Sequence, residues 1–307
     1  MCAPRATWKG DHRQVYRVTA ASRLCVGHDG DMPILNKDMQ VCISLAGRPS
    51  NLGTRFHNYL YDELGLNFIY KAFTTDDIEG AVRGIRALGI RGCSVSMPFK
   101  EAVIPLVDVV EESATAIESV NTIVNDDGVL TASNTDYEAI AELIIARSLY
   151  PAARVIVRGS GGMAKAVVAA FRGAGFEDVT VLARNPVAGS ALAEKYGYAW
   201  VADEPASDDP ALGFDIIVNV TPLGMAGADA NAQAFAPAFV ERAETVFDVV
   251  AFPAETPLVT AARAAGKRVI SGAEVIALQA ARQFERYTGA ELTREQVERA
   301  SAFSRSE

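Results

Sequence analysis

In GCSVSMPFK, residues 92–100, an apolar strand pattern stops at Pro98, and a lysine, Lys100, follows two residues later. A lysine on a loop is ordinarily a solvated charge, and the spacing alone is compatible with that. The inventory of other titratable groups gives the position a second meaning. The chain holds three histidines (His12, His28, His57) and four cysteines (Cys2, Cys25, Cys42, Cys93), with no C-x-x-C pair. A histidine-built zinc site and a histidine-based triad are poorly supplied, and no metal is expected. The cysteines read as thiols of a reducing compartment. If the protein moves protons, the groups that do so are Lys, Asp or Glu. Two short polar insertions lie beside apolar strands, Ser119-Val120-Asn121-Thr122 and Asn134-Thr135-Asp136. Asp136 directly precedes a helical pattern, so a helix N-cap is the alternative account of it.

A third stretch, Gly159-Ser160-Gly161-Gly162-Met163-Ala164-Lys165-Ala166, follows the strand pattern RVIVR and opens a helix. Glycines here permit a tight turn and let backbone N–H groups approach a pyrophosphate at the helix N-terminus. The spacing is G-x-G-G-x-A, not the commoner G-x-G-x-x-G. Its place between a strand and a helix is what predicts a nucleotide site. The next strand, VTVL, runs into Ala183-Arg184-Asn185, with no acidic residue to take ribose hydroxyls. Arg184 can instead pair with a 2′-phosphate and stack on adenine, so the expected cofactor is NADP. The segments NVTPLGM (219–225) and DVVAFP (248–253) follow further strands, at the sheet end where ligands bind in such folds. An ordinary turn is the alternative for each.

The elements that must hold these stretches alternate along the chain. Residues 1–38 lack sustained periodicity and are expected to form a tail, with 1–31 disordered or upstream of a natural start at Met32. Order begins with the strand QVCISL (40–45). HNYLYDELG then reads as a helix ended by Gly65, NFIYKAF as a strand, and TTDDIEGAVRGIRALG as a helix capped by Thr or Asp. GCSVSM is a strand and EAVIPLVD a helix. Residues 119–134 form a hairpin around Asp127-Gly128, and NTDYEAIAELIIARSL begins a long amphipathic helix. From Pro151 onward, ARVIVR, VTVLAR, FDIIVNV, TVFDVVA and KRVISG are short buried strands separated by helical stretches, the alternation of a parallel α/β sheet. AEVIALQAARQFERYTG is helical, and TREQVERASAF follows it as polar text.

The totals agree with a large globular chain. Of 307 residues, 50% are apolar and 22% charged, enough for two domains. A net charge of −9 argues against nucleic acid as a partner. No apolar run is long enough to span a membrane, and the start lacks a signal-peptide core. The expectation is a cytoplasmic monomer or homodimer that binds a small molecule.

Together the motifs resemble those of shikimate dehydrogenase. SVSMPFK, SVNT, NTDY, GSGGMAKA, NVTPLGM, DVVAFPAET and GAEVIALQAARQF stand in the order of that family's N-V-T-x-P-x-K, A-x-N-T, N-T-D, G-A-G-G-A-A-x-A, N-x-T-P-x-G-M, D-x-V-Y-x-P and G-x-x-M-L-x-x-Q-A. The likeness covers roughly residues 40–290. It implies two α/β domains around a cleft: a substrate domain of residues 39–136 plus 273–307, and a Rossmann-like NADP-binding domain of residues 137–272. It implies that Lys100 and Asp136 face each other across the cleft, the lysine exchanging the hydroxyl proton and the aspartate orienting both groups, while hydride moves between NADP and the alcohol carbon of shikimate. It assigns substrate contacts to Ser96, Asn121 and Gln279. Cofactor contacts fall on Gly159, Ser160, Gly161, Gly162, Met163, Ala164, Arg184, Asn219, Thr221 and Gly272.

Three departures set this chain apart. The family's S-x-S-P before H-N is replaced by Asn51-Leu52-Gly53-Thr54, its Asn before V-T is Ser94, and its Tyr before x-P is Ala251. The carboxylate end of the pocket is thus remodelled. By position, Arg48, Ser50, Asn51 or Arg55 could bind a carboxylate there. The stretch from Gly47 to Thr75 resembles the divergent shikimate dehydrogenase-like branch most. The alternatives are quinate or an aminoshikimate as substrate, or a non-catalytic regulator that binds NADP or a metabolite. Retention of both Lys100 and Asp136 argues against the regulator.

Overall fold

The computed structural model describes residues 35–205 and 213–306. Apart from residues 35–38, the expected tail lies outside the described residues, as do Cys2, Cys25, His12 and His28.

The strands fall into two six-stranded sheets. The first contains β1 (Gln40–Leu45), β2 (Phe68–Phe73), β3 (Gly92–Val95), β4 (Val109–Val110), β5 (Thr122–Asp126) and β6 (Val129–Ser133), in the order β2-β1-β3-β5-β6-β4. β1 is parallel to both neighbours, whereas β3–β5 and β5–β6 are antiparallel. The second contains β7 (Val155–Arg158), β8 (Val179–Leu182), β9 (Ala199–Val201), β10 (Ile216–Asn219), β11 (Thr245–Asp248) and β12 (Arg268–Ser271). Its order is β12-β11-β10-β7-β8-β9, with every pair parallel. This is Rossmann topology. The winding reverses between β7 and β10, and the carboxyl ends of those two strands are where sheets of this topology bind ligands.

Ten helices are described, and local signals start several of them. α1 spans Asn51–Glu63. α2 (Ile78–Ala87) begins behind Asp77, whose carboxylate accepts the Gly80 N–H at 2.7 Å. α3 is one turn, Glu112–Thr115, and α4 spans Thr135–Ala146. α5 (Gly162–Gly173) follows the glycine turn. α6 (Pro186–Tyr196) starts with a proline behind Asn185, whose side chain accepts the N–H groups of Val187 and Ala188. α7 (Pro237–Arg242), α8 (Pro257–Ala264), α9 (Gly272–Thr288) and α10 (Arg294–Arg305) complete the set.

Three expectations are corrected. EAVIPLVD is not an α-helix: Ile104–Leu106 form a 3₁₀ turn and Val109–Val110 form β4. Pro105 has no N–H and would clash inside an α-helix. α1 starts at Asn51 rather than near His57: Ser50 stands at the N-cap in extended backbone, and Phe56 already faces the core from the second turn. The polar segment TREQVERASAF is α10. It opens with a capping box in which the Thr293 hydroxyl accepts the Gln296 N–H at 3.3 Å and Gln296 accepts the Thr293 N–H at 2.9 Å.

α4 carries the chain from the first sheet to the second, and α9 brings it back; the two helices pack together and are tied by an Arg282–Glu142 ion pair at 2.6 Å. α9 and α10 then cover one face of the first sheet. Phe284, Tyr287 and Ala300 close over Phe56, Leu60, Tyr61 and Tyr70. His57 lies inside this cluster, stacked on Tyr70 with ring centroids 4.4 Å apart.

Burial pushes the His57 imidazole down to about 3, whereas in an unfolded chain it titrates near 6.5. Between those values the unfolded state binds a proton that the folded state refuses. The contribution is therefore full above about 6.5 and is lost as pH falls toward 3. From pH 7 to pH 5 this one group should remove about 2 kcal/mol of stability. His57→Phe keeps the stacking, so in urea titrations it should lose about 2 kcal/mol less over that interval. Identical losses would show that protons reach the folded imidazole.

Candidate active site

β1 and β3 are parallel neighbours, so their carboxyl ends deliver two loops to one place. The loop after β3 is held at several points. The Ser96 N–H donates to the Leu45 carbonyl at 2.9 Å, the Gly47 N–H to the Met97 carbonyl at 2.9 Å, and the Val120 N–H to the Lys100 carbonyl at 2.8 Å. These bonds fix the backbone from which Lys100 projects. Its Nζ lies 2.6 Å from Asp136 Oδ2, and the two side chains are 26% and 12% exposed. Lys100 is thus a partly buried, paired cation. It still has two N–H donors beyond the one that faces the carboxylate.

Asp136 does not cap its helix. Asn134 does, by accepting the Tyr137 N–H at 3.1 Å. Asp136 therefore sits in the first turn of α4 with its carboxylate directed to the lysine, where the helix N-terminus also favours negative charge. Asn134 is itself anchored: its side-chain amide donates to the Ser119 carbonyl at 2.8 Å, and its backbone N–H donates to Ser113 Oγ at 3.0 Å.

Asn121 is buried beside this turn. Its Oδ1 accepts the Thr135 N–H at 2.8 Å, the Thr122 hydroxyl at 2.8 Å and the Thr135 hydroxyl at 3.1 Å. Three donors on one oxygen fix the amide's orientation and direct its NH₂ group elsewhere. That amide has no protein acceptor among the described residues and can donate to a ligand hydroxyl. Sequence reasoning did not single out Gln283, one turn beyond Gln279 on α9. Gln283 is buried, and its amide donates to Ser94 Oγ at 3.2 Å, the Asn121 carbonyl at 3.1 Å and Thr122 Oγ1 at 3.0 Å. It fixes α9 to β3 and β5, and so sets the position of half-buried Gln279. A glutamine between Ala280, Ala281 and Phe284 was the available signal, since a buried amide needs partners.

At the second sheet, β7 passes into the glycine turn. Gly159 has φ +129°, and a Cβ on it would lie 2.7 Å from Val220 Cγ2. The turn therefore packs against the end of β10, at the switch point. Gly161 and Gly162 are exposed, and a Cβ on either would meet nothing within 4 Å. The first turn of α5 thus presents its unpaired N–H groups without side-chain cover, which fits a pyrophosphate. Ser160 and Met163 are half-buried at its edge. Ala164 is fully buried, so it can take part only through its N–H. Arg184 is exposed just past β8, with no carboxylate partner among the described residues.

Two expected cofactor contacts are side chains committed to the protein. Asn219 is buried. Its amide donates to Asp248 Oδ1 at 3.0 Å and the Leu223 carbonyl at 3.1 Å, and its oxygen accepts the Thr221 hydroxyl at 2.6 Å and the Thr221 N–H at 3.0 Å. Asp248 also accepts the Thr256 hydroxyl at 2.6 Å and the Val250 N–H at 3.1 Å. Burial raises its carboxyl above the usual range. Asn219 and Thr221 shape the loop after β10 from within. Gly272 is a packing position, set hard against the Val249–Val250 backbone.

Of the four residues suggested for a carboxylate, Arg48, Ser50 and Asn51 are exposed at the start of α1. Arg55 is engaged with the end of α10, donating to the Phe303 carbonyl at 3.0 Å and to Ser306 Oγ at 3.1 Å. The two units also meet beside Lys100, where Glu101 pairs with Lys165 of α5 at 2.9 Å.

A Rossmann-ordered sheet with an open glycine turn, joined to a second α/β sheet that presents a Lys–Asp pair, defines a two-domain dehydrogenase architecture. Residues 50–123 match the shikimate dehydrogenase substrate binding domain. The chain is 57% identical over 274 residues to a shikimate dehydrogenase-like protein of Haemophilus influenzae, covering 89% of this chain and 99% of that one. It is 37% identical over 253 residues to the shikimate dehydrogenase (NADP(+)) of Chlorobaculum tepidum, covering 77% and 85%. Among solved structures, the shikimate 5-dehydrogenase of Thermus thermophilus in complex with NADP(H) and shikimate superposes with a TM-score of 0.76 at 29% identity, over 87% of this chain and all of that one. The chain belongs to the shikimate dehydrogenase family.

Proposed function

We propose that this chain is an NADP-dependent dehydrogenase that interconverts shikimate, or a shikimate-like cyclic hydroxy acid, with its 3-dehydro ketone. The observation that carries the reading is the 2.6 Å contact between Lys100 and Asp136. A regulator needs no such pair. NADP, when bound, supplies the hydride acceptor. The chain's own residues do the rest. Lys100 Nζ exchanges a proton with the substrate oxygen, as an ammonium giving it to the ketone oxygen in the direction of reduction and as a neutral amine taking it from the hydroxyl in the direction of oxidation, and Asp136 Oδ2 holds that nitrogen in place. The Asn121 amide donates to a neighbouring hydroxyl, with Ser96 and Gln279 as further contacts. The glycine-turn N–H groups from Gly161 to Ala164 would hold the pyrophosphate, and Arg184 the 2′-phosphate. The two sheets support a division into residues 39–136 plus 273–307 for substrate and 137–272 for nucleotide. A cytoplasmic location accords with this chemistry; no described helix is long and apolar enough to cross a membrane.

The test is turnover of shikimate, quinate and related cyclic hydroxy acids with NADP and with NAD. Arg184→Ala should weaken NADP by about 10- to 150-fold, the equivalent of roughly 1.5–3 kcal/mol for a charge-assisted contact, and change NAD little. Equal losses for both nucleotides, or tighter NAD binding by the unmodified chain, would overturn the cofactor assignment.

A further inference from the structure

A cavity of about 580 Å³ lies between the start of α1, the loop after β11, the first turns of α9 and the end of α10. Its size is in the range that holds drug-sized ligands rather than a single small ring. Its lining is divided. Leu52, Ala251, Phe252, Ala273 and Ile276 make apolar walls, whereas Arg55 and Arg305 stand at the α10 side. Phe252 is 62% exposed, a large apolar ring left facing open space. Arg305 donates to Ser301 Oγ at 2.7 Å, and neither arginine has a carboxylate partner among the described residues. The cavity adjoins the catalytic end of the first sheet. Asn51 opens α1 after the five-residue loop that leaves the carboxyl end of β1, and Ile276 precedes Gln279 by one turn on the same face of α9.

Taking the dehydrogenase reading above as its basis, we infer that this cavity is a substrate subsite for an anionic group carried on an apolar spacer beyond the reacting ring. The apolar walls gain by removing the spacer from water. The guanidinium of Arg305 recognises the terminal carboxylate, with the remaining N–H groups of Arg55 beside it. The substrate class is thus an elongated cyclic hydroxy acid, longer than one whose carboxylate is bonded to the ring.

Three compounds test this on the full chain: shikimate, its amide with 4-aminobutyrate, which ends in a carboxylate, and its amide with n-butylamine, which has similar reach and no charge. The acid-ended amide should show a KM at least about tenfold below the other two, as expected for one added charge-assisted contact. Arg305→Ala should erase most of its advantage over the neutral amide, and Arg305→Lys should restore part of it. Ala251→Tyr, which fills the cavity, should raise KM for both amides. Shikimate used as well as the acid-ended amide, or Arg305→Ala weakening acid and neutral amides alike, overturns the subsite. If none of the three is oxidised, calorimetric titration with the acid-ended amide separates the two ideas. Binding that Arg305→Ala weakens keeps the subsite and removes the dehydrogenase reading, whereas no binding removes the subsite.

Discussion

Lys100→Ala is expected to lower turnover by about 10²- to 10⁴-fold, roughly 3–5 kcal/mol of barrier, because it deletes the amine paired with the Asp136 carboxylate. A charge in a surface loop would be nearly silent on removal. Lys100 differs because its backbone is fixed by the Val120 N–H and its Nζ by Asp136. Asp136→Asn should also fall sharply, since an amide holds the lysine less well and presents a donor to it. The double substitution should cost less than the two losses multiplied, because the pair acts as one unit. NADP affinity should stay close to that of the unmodified chain in all three proteins, since neither group belongs to the second sheet or its glycine turn. Steady-state rates with an active hydroxy acid, alongside NADP titrations, make the check. Near-normal turnover in Lys100→Ala would sink the proton-transfer role and shift the reading toward a metabolite-binding regulator.

Gly272→Ala should cost about 3 kcal/mol of stability, at the upper end for overpacking a well-filled site. A Cβ there would lie 2.2 Å from the Val250 carbonyl oxygen, 2.4 Å from its carbon and 2.6 Å from the Val249 carbonyl carbon. All three are backbone atoms, so no rotamer relieves the clash. The start of α9 must back away from the loop after β11, carrying Gln279 and Gln283 with it. Chemical denaturation should show the loss, and KM for the hydroxy acid should rise with it. A loss below 1 kcal/mol would mean that α9 has slack at its first turn, and that Gln279 is not held from there.

Much of this architecture is legible in the chain because its signals are local. The inner strands of the all-parallel second sheet are buried on both faces and read as continuous apolar runs such as VIV and IIV. The hairpin at Asp127-Gly128 and the glycine turn each announce themselves within a few residues. Contacts between distant residues do not. Lys100 and Asp136 are 36 positions apart, and only the family likeness pairs them. All three residues of the Asn-Thr-Asp triplet are of N-cap type, and the choice of Asn134 over Asp136 depends on where α4 docks. Arg55 reads as a free cation near a ligand, yet it serves the end of α10, 248 residues away. α10 had a T-x-x-Q signal at Thr293, but its polar composition hid it. It is held by Ala300 in the aromatic core and by an Arg299–Glu63 ion pair at 2.6 Å.

During synthesis this chain must complete its units in reverse order. The second sheet is contiguous and has all its strands once Ser271 has emerged from the ribosome. The first sheet begins earlier, but the face formed by Phe56, Leu60 and Tyr70 gains its cover only with Phe284, Tyr287 and Ala300. At about 5–20 residues per second, the nascent aromatic face waits roughly ten to thirty seconds between the emergence of β6 and that of α10. A chain stalled or cut short before α10 therefore presents a completed second sheet joined to a sticky, unfinished partner.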